Sequence, residues 1–185
     1  MKLNIITIFY LVIQTLTKGD TQSLHNNQDQ IMCELSSALN AVSMGYPSWR
    51  CVNNYPITGR ICSSSLSHWI RVTCNSNGLI SSISISSSCF SGSLPLSLGS
   101  LTSLTLLDIS SNSLIGSLPS SLGQLHLLSR LEVDSNLFTG SLPSTLCQIT
   151  SLSLLYTHNN PYLLGYDTCL STVSSKSFST LSPCS

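Results

Sequence analysis

This sequence contains few charged residues. Of its 185 residues, seven are Lys or Arg and seven are Asp or Glu, so the formal net charge is zero. Binding to nucleic acid or to an anionic lipid surface depends on a basic face, and this composition therefore excludes nucleic acid as an expected partner. Serine, with 40 residues, supplies the polarity instead, and the hydrophobic content of 42% favours a folded chain over a disordered one.

Long apolar runs are absent except at the amino-terminal end. Lys2 precedes an apolar run from Leu3 to Leu16, which is typical of a secretory signal peptide. We predict a signal peptide over residues 1–19, with Thr17 and Gly19 at the small-residue positions before the cleavage site. The alternative is an uncleaved signal anchor, but the run is shorter than the roughly 20 apolar residues that span a bilayer. The mature product is predicted to be secreted and extracellular, with no stable membrane span.

Closely spaced cysteine pairs are missing as well. No two cysteines have the C-x-x-C spacing of zinc or redox sites, so we predict no metal and no cofactor. The eight cysteines are Cys33, Cys51, Cys62, Cys74, Cys89, Cys147, Cys169 and Cys184. An even number in a secreted chain indicates disulfides, although the count alone leaves about a hundred pairings open.

A period of 24 residues organises the middle of the chain. Gly92, Gly116 and Gly140 recur at this spacing, and a leucine and a proline follow each of them. The apolar positions of one complete unit and its asparagine are Leu101, Leu104, Leu107, Ile109, Asn112, Leu114, Leu118 and Leu122. One unit cannot bury its own leucines, so neighbouring units must stack to form a continuous core.

The pattern L-x-x-L-x-L-x-x-N-x-L at this period marks the leucine-rich repeat. The stretch LTSLTLLDISSNSLIGSLPSSLGQL further resembles the plant-type subclass of these repeats, and the resemblance covers about residues 78–160, four units. It implies an α/β fold: a short right-handed solenoid with a parallel concave sheet of about four strands, an irregular convex side and a helical amino-terminal cap. Ser88 replaces asparagine in the first unit, and the fourth unit departs from the glycine and proline pattern, as terminal units often do.

Residues 20–77 precede the repeats and are predicted to form the amino-terminal cap. Apolar residues from Ile31 to Val42 have helical spacing and predict an amphipathic helix over Asp29–Ser43. The segment CSSSLSHWIRVTC then resembles the plant-type cap and implies a disulfide between Cys62 and Cys74. Arg71 stands where that family usually has glycine, so the backbone there is expected to differ locally.

Two further disulfides are expected from the remaining cysteines. Cys33 is expected to pair with Cys51 inside the cap. Residues 161–185 are predicted to close the solenoid as a carboxy-terminal cap through a bridge from Cys169 to Cys184, and a bridge from Cys147 to Cys169 is the open alternative.

The outward residues of the concave strands are the candidate ligand-binding positions. Side chains alternate along a strand, so residues between the core leucines face solvent. The first unit offers only serine at these positions, whereas later units gather charged and aromatic residues, which supply directional contacts in recognition. The predicted ligand-binding residues are Leu106, Asp108, Arg130, Glu132, Asp134, Tyr156 and His158.

A catalytic function is an alternative, more specific hypothesis for the outward residues of the concave strands. Asp134 and His158 share a column in adjacent strands, with Ser110, Ser111 and Ser135 nearby, and these are the residue types of a nucleophilic triad. Hydrolysis also needs a pocket that excludes water and an oxyanion site, which a flat strand face does not supply. An acid pair formed by Asp108 and Glu132 would likewise lack the enclosing cleft of a glycosidase. We therefore predict that the protein is not an enzyme.

The resemblance implies a binding function instead. Extracellular plant-type repeat proteins, including polygalacturonase inhibitors and receptor ectodomains, bind other molecules, so the expected partner is an extracellular protein, peptide or glycan on the concave face. The alternative is a structural component of an extracellular matrix or wall, which would assemble through the open ends of the solenoid. The sequence leaves the oligomeric state open.

Overall fold

The computed structural model describes residues 23–24, 27–41, 49, 51–52, 55–56, 61–62, 69, 71–177 and 182–183. The predicted signal peptide and the predicted disulfide partner Cys184 lie outside these residues. Within them, no helix is both long enough and apolar enough to cross a membrane.

A helix, α1, covers residues 27–38 and carries the apolar face that its spacing predicts. The buried residues of this face are Ile31, Met32 and Leu35, and Leu39, in the turn that follows the helix, is buried as well. The prediction that the helix extends to Ser43 is wrong, because Asn40 takes up a left-handed conformation with φ of 52°. The Ala41 amide then donates to the carbonyl of Ser36 at 3.0 Å, which caps the last turn in a common helix-ending motif.

The side chain of Gln28 joins α1 to the first repeat. It is buried, its amide donates to the carbonyl of Gly78 at 2.9 Å, and its oxygen accepts from the amide of Ile80 at 2.9 Å. Glu34 also accepts a hydrogen bond from Ser97. The helix therefore covers the amino-terminal end of the repeats and satisfies backbone groups that would otherwise lack a neighbouring unit.

Thirteen short strands are present in the described residues. In chain order they are β1 (Cys51–Val52), β2 (Tyr55–Pro56), β3 (Val72–Cys74), β4 (Ile80–Ser84), β5 (Ser91–Gly92), β6 (Leu106–Asp108), β7 (Ser113–Gly116), β8 (Arg130–Glu132), β9 (Leu137–Ser141), β10 (Leu154–Tyr156), β11 (Tyr162–Tyr166), β12 (Ser175–Ser177) and β13 (Ser182–Pro183). Strands β1 and β2 form a separate antiparallel pair. The other eleven divide between two sheets.

The concave sheet has the strand order β12-β10-β8-β6-β4-β3. Its four central strands, β4, β6, β8 and β10, are parallel and belong to the four predicted units. Strand β12 adds a fifth parallel strand at one edge, and β3 of the cap pairs antiparallel with β4 at the other. The prediction of a leucine-rich repeat solenoid with a parallel concave sheet is confirmed.

A second sheet, with the order β13-β11-β9-β7-β5, lies where the sequence predicted irregular backbone. Its strands are parallel, and in the repeats they directly follow the turn that carries the asparagine. They were missed because each pairs over only a few residues, which is too short for the alternation of a strand to show in the sequence. The repeats thus present a second strand-built face beside the concave one.

Four 3₁₀ turns complete the convex side. They are Leu96–Ser100, Ser120–Gln124, Ser144–Gln148 and Thr168–Thr172. The first three follow a proline, whose fixed φ suits the extended residue before a helical turn. Gly99 and Gly123 allow these turns to stack closely: a Cβ on Gly123 would lie 2.5 Å from the carbonyl oxygen of Thr145.

Replacing Gly123 with alanine is expected to lower the free energy of unfolding by about 2 kcal/mol, because the new methyl group forces two stacked turns apart. Urea denaturation of both proteins measures the change. Gln124→Ala, one residue later on the exposed side of the same turn, is the control and should change stability by less than about 0.5 kcal/mol. Equal effects of the two substitutions would show that the close approach at Gly123 does not limit stability.

The repeated asparagines form a ladder of hydrogen bonds between units. Asn112 donates to the carbonyl of Ile85 at 2.9 Å and accepts from the amides of Ser88 and Phe90 at 3.1 and 3.0 Å. One and two units further along, Asn136 and Asn160 likewise each donate to a carbonyl of the preceding unit, Ile109 or Val133, and accept from one of its amides, Leu114 or Phe138. Each amide therefore links its own turn to the preceding unit, which is why the position repeats so strictly.

Three disulfides are present among the described cysteines. Cys33 pairs with Cys51 and Cys62 with Cys74, as expected from the sequence. The third joins Cys147 to Cys169, so the predicted bridge from Cys169 to Cys184 is wrong. Stacking places these two cysteines on consecutive 3₁₀ turns with their Cα atoms 5.8 Å apart, a spacing that a disulfide spans. Cys89 is exposed and unpaired.

In the cap segment before β3, a left-handed residue stands at the position where the sequence departs from the family's glycine. Arg71 itself adopts a φ of 71°, and its guanidinium donates to the carbonyl of Ser86 at 2.6 Å. Nearby, the buried ring of Trp69 lies 4.9 Å from that of Trp49, which in turn lies 5.8 Å from Phe90. Aromatic packing thus connects the cap to the first unit of the solenoid.

Candidate ligand-binding face

The register of the concave sheet places the predicted residues side by side. Leu106, Arg130 and Leu154 are direct neighbours on β6, β8 and β10, and Asp108, Glu132 and Tyr156 form the next column. The residues between the two columns, Leu107, Leu131 and Leu155, are fully buried. Alternation therefore separates core and outward positions as predicted.

Arg130 and Glu132 form an ion pair along β8. The Nε of Arg130 donates to Oε1 of Glu132, and this bond raises the pKa of the guanidinium above its usual value. The Arg130 side chain is 47% exposed, whereas that of Glu132 is 11% exposed. The carboxylate therefore lies against the sheet and holds an arginine that remains open to solvent.

A second pair lies where β8 and β10 end. Nε2 of His158 is 3.6 Å from Oδ2 of Asp134, and the His158 side chain is 30% exposed against 12% for Asp134. The ring of Tyr156 meets the imidazole edge-on, with centroids 6.2 Å apart, and its hydroxyl lies 3.4 Å from that of Ser175. Nδ1 of His158 has no hydrogen-bond partner in the part of the chain that the structure describes.

Asp108 is bound mainly by its own neighbours. Its Oδ1 accepts from the amide of Ser110 at 3.1 Å and from the Ser110 hydroxyl at 2.7 Å, and Oδ2 accepts from Ser84 at 3.2 Å. These bonds fix the end of β6 in the way that aspartate side chains often fix turns. Asp108 therefore serves the local backbone, and its remaining surface is only partly open to a ligand.

The seven predicted residues thus differ in how far a ligand can reach them. Arg130 is exposed, and Leu106, Asp108, Tyr156 and His158 are half-buried. Glu132 and Asp134 are buried: as whole residues they are only 8% and 9% exposed, and they lie beneath Arg130 and His158. We define the concave patch as the accessible set formed by Leu106, Arg130, Leu154, Tyr156 and His158.

Two outward residues of this region were not among the predicted binding residues. Leu154 is half-buried beside Arg130. It occupies the same outward column as Leu106, so the repeat pattern could have identified it as a binding position. Ser175 lies on β12, and no signal could have found that strand because SSKSF departs from the repeat pattern.

The serines near His158 are directed elsewhere. Ser110 donates to Asp108, and Ser135 donates to Oδ2 of Asp134 at 3.3 Å, so neither hydroxyl is bonded to the imidazole. A possible metal-ligand cluster of the described residues is Cys147, Asp167 and Cys169. Both of its sulfurs belong to one disulfide and are not available as thiolates.

Solved structures with the same architecture come from plants. PEPR1 in the PEPR1-AtPEP1 structure is 26% identical over 76% of this chain, with a TM-score of 0.60. The ectodomain of the receptor kinase GASSHO1/SCHENGEN3 from Arabidopsis thaliana, in complex with CASPARIAN STRIP INTEGRITY FACTOR 2, is also 26% identical over 76% of this chain, with a TM-score of 0.54. A plant ice-binding protein has a TM-score of 0.60 at 24% identity over 80% of this chain, which shows the fold alone.

This chain is much shorter than these proteins: its match covers 21% of PEPR1, 16% of GASSHO1/SCHENGEN3 and 44% of the ice-binding protein. No family model and no curated protein matches its sequence. The structural likeness, the repeat of 24 residues and the disulfides near the amino-terminal end nevertheless agree with one another. The chain therefore folds as a leucine-rich repeat solenoid and is similar to the plant receptor ectodomains.

Proposed function

We propose that this protein is an extracellular binding module that recognises a peptide or a short segment of a protein through the concave patch. The observation that carries the proposal is the ion pair that holds Arg130 on Glu132, with His158 beside Asp134, in a face that is otherwise rich in serine. A ligand meets groups that are already oriented, so less conformational entropy is lost on binding. Solvent exposure alone does not require such bracing.

The size of the face favours a small ligand. Its five parallel strands, spaced by about 4.8 Å, span roughly 19 Å, which is the length of a short extended peptide. GASSHO1/SCHENGEN3 binds its partner with a much longer chain, of which the match covers 16%. A partner with a broad surface would therefore contact only one edge of this protein.

The chemistry of the patch indicates what such a ligand carries. Glu132 contacts Nε of Arg130, and a guanidinium has further N–H donors on its terminal nitrogens that suit a carboxylate. Leu106 and Leu154 flank the arginine, and Tyr156 adds an aromatic surface on the next column. We therefore expect a ligand that combines a carboxylate with a neighbouring apolar side chain.

A displayed library of random peptides selected on the intact protein tests this proposal. Peptides that bind through the concave patch should carry a carboxylate and bind Arg130→Ala and Tyr156→Ala at least about tenfold more weakly, because both substitutions remove central contacts. Isothermal titration with the selected peptides measures these affinities.

Lys176→Ala is the matched control. Lys176 is exposed but lies outside the patch, where its ammonium binds the carbonyls of Ser171 and Val173. The control should bind like the wild type. Selected peptides that bind Arg130→Ala and Tyr156→Ala as tightly as the wild type would reject the concave patch as the recognition site.

A further inference from the structure

The turn between β3 and β4 contains the one Asn-Gly dipeptide of the sequence, Asn77 followed by Gly78. Asn77 is exposed, and its side-chain amide makes no hydrogen bond within the part of the chain that the structure describes. Gly78 has no Cβ, so no side chain on the following residue shields the amide carbon of Asn77 from the backbone nitrogen of Gly78. An asparagine in this setting is open to attack by its own backbone.

The other asparagines of the repeats and of this turn are held differently. The side-chain amides of Asn112, Asn136 and Asn160 bind backbone carbonyls of the preceding unit. The side-chain oxygen of Asn75 accepts from two backbone amides of its own turn, each at 3.0 Å. None of these four residues is followed by glycine. A reaction at any of them would have to break these bonds and pass a bulkier neighbour.

We propose that Asn77 is a site of spontaneous deamidation, with water as the co-reactant. The backbone nitrogen of Gly78 gives up its proton and attacks the side-chain carbon of Asn77. A C–N bond forms, the bond to the side-chain nitrogen breaks, and ammonia leaves with the proton. Water then opens the cyclic imide at one of its two carbonyls. One opening yields aspartate, and the other yields isoaspartate, in which the main chain is one carbon longer.

One backbone hydrogen bond controls how fast the folded protein reacts. The amide of Gly78 donates to the carbonyl of Asn75 at 2.9 Å, and this bond must open before the nitrogen can attack. The bond lies in a surface turn, where local opening costs less free energy than opening the core. The reaction therefore proceeds from a locally opened turn and does not require the protein to unfold.

Isoaspartate at this position disturbs the contact between α1 and the first repeat. The side chain of Gln28, which is 5% exposed, donates to the carbonyl of Gly78 at 2.9 Å. The additional main-chain carbon lies directly before Gly78 and displaces this carbonyl. The buried amide of Gln28 then loses a partner, which destabilises the folded state. The modification thus loosens the amino-terminal cap.

Incubation of the full chain in mildly alkaline buffer, followed by peptide mapping with mass spectrometry, tests the proposal. Asn77 should convert at least about tenfold faster than any other asparagine of the chain, a difference of about 1.4 kcal/mol in activation free energy. Ion-exchange chromatography separates the product by its new negative charge. The fraction that contains isoaspartate should unfold at a lower urea concentration than the fresh protein.

Two variants of the same residue are the controls. Asn77→Gln should resist conversion, because its longer side chain forms the cyclic imide much more slowly. Freshly purified Asn77→Asp carries the charge of the product without the additional main-chain carbon and should unfold like the wild type. Conversion of Asn77 only in the urea-unfolded chain, or equally fast conversion of other asparagines in the folded protein, would overturn the proposal. An Asn77→Asp variant as unstable as the isoaspartate fraction would also overturn it, because charge alone would then explain the loss.

Discussion

Replacing Asn136 with alanine is expected to lower the free energy of unfolding by about 4 kcal/mol, the largest effect of any single polar substitution in the repeats. Asn136 is 3% exposed. Its Nδ2 donates to the carbonyls of Ile109, Val133 and Asp134 at 2.9, 3.2 and 3.1 Å, and its Oδ1 accepts from the amide of Leu114 at 3.0 Å. One side chain thus satisfies backbone groups of two consecutive units.

The size of the effect follows from the groups left unpaired. Alanine has neither a donor nor an acceptor, so the Leu114 amide loses its acceptor in a region closed to water, and the Ile109 carbonyl keeps only its bond from Asn112. Each buried polar group without a partner costs about 1–3 kcal/mol, and the smaller side chain also leaves a cavity. Urea denaturation followed by circular dichroism measures the loss.

Asn159→Gly is the matched control for Asn136→Ala. Asn159 is exposed, makes one weak side-chain bond of 3.4 Å to Ser135, and has a φ of 55° that glycine adopts freely. Its replacement should change stability by less than about 0.5 kcal/mol. If Asn136→Ala were as mild as this control, the asparagine ladder would not hold the units together.

The ladder also shows why the repeats were readable from the sequence. Asparagine recurs because its amide must reach the preceding parallel unit, and that requirement is the same in every unit. The exception supports the rule: Ser88 occupies this position in the first unit, which is preceded by the antiparallel strand β3. Ser88 donates only as far as the carbonyl of Ser86, two residues away. The fold was therefore predictable wherever one unit repeats the environment of another.

Elements that depend on a unique environment were not predictable in the same way. The early end of α1 depends on Asn40 entering the left-handed region, and a helical period carries no sign of that turn. Strand β12 forms because the edge of β10 offers unpaired backbone groups, although its sequence, SKS, lacks the repeat pattern. In both places tertiary contacts and local turns decide the backbone against the periodic signal.

The candidate site shows the same division. Columns of outward residues followed from alternation alone, and the register agrees with them. The sequence could not show that Glu132 lies under Arg130 or that Asp134 lies under His158, because burial of a carboxylate depends on which neighbour folds over it. Asp108, which looked outward in sequence, is held by Ser84 and Ser110.

Removing the disulfide between Cys147 and Cys169 is expected to lower the free energy of unfolding by about 3 kcal/mol. The bridge closes a loop of 22 residues, and loops of this size restrict the unfolded chain by about that amount. The double substitution Cys147→Ser with Cys169→Ser avoids a new free thiol. Urea denaturation under non-reducing conditions measures the effect.

The disulfide is expected to matter for stability because the last 3₁₀ turn packs less closely against its neighbouring turn than the earlier turns do. Cys147 occupies the place that Gly99 and Gly123 hold in earlier units, where an added Cβ would overlap the next turn of the stack. A groove of about 360 Å³ separates the two turns and is lined in part by both cysteines. The covalent bond therefore replaces packing that glycine permits elsewhere in the stack.

Cys184→Ser separates this pairing from the one that the sequence had favoured. Because Cys169 is bonded to Cys147, the Cys184 variant should keep the stability of the wild type to within about 0.5 kcal/mol. Peptide mapping of the unreduced protein should recover Cys147 and Cys169 in one linked fragment. A Cys184 variant as unstable as the double substitution would show that the carboxy-terminal cap is closed through Cys184 instead.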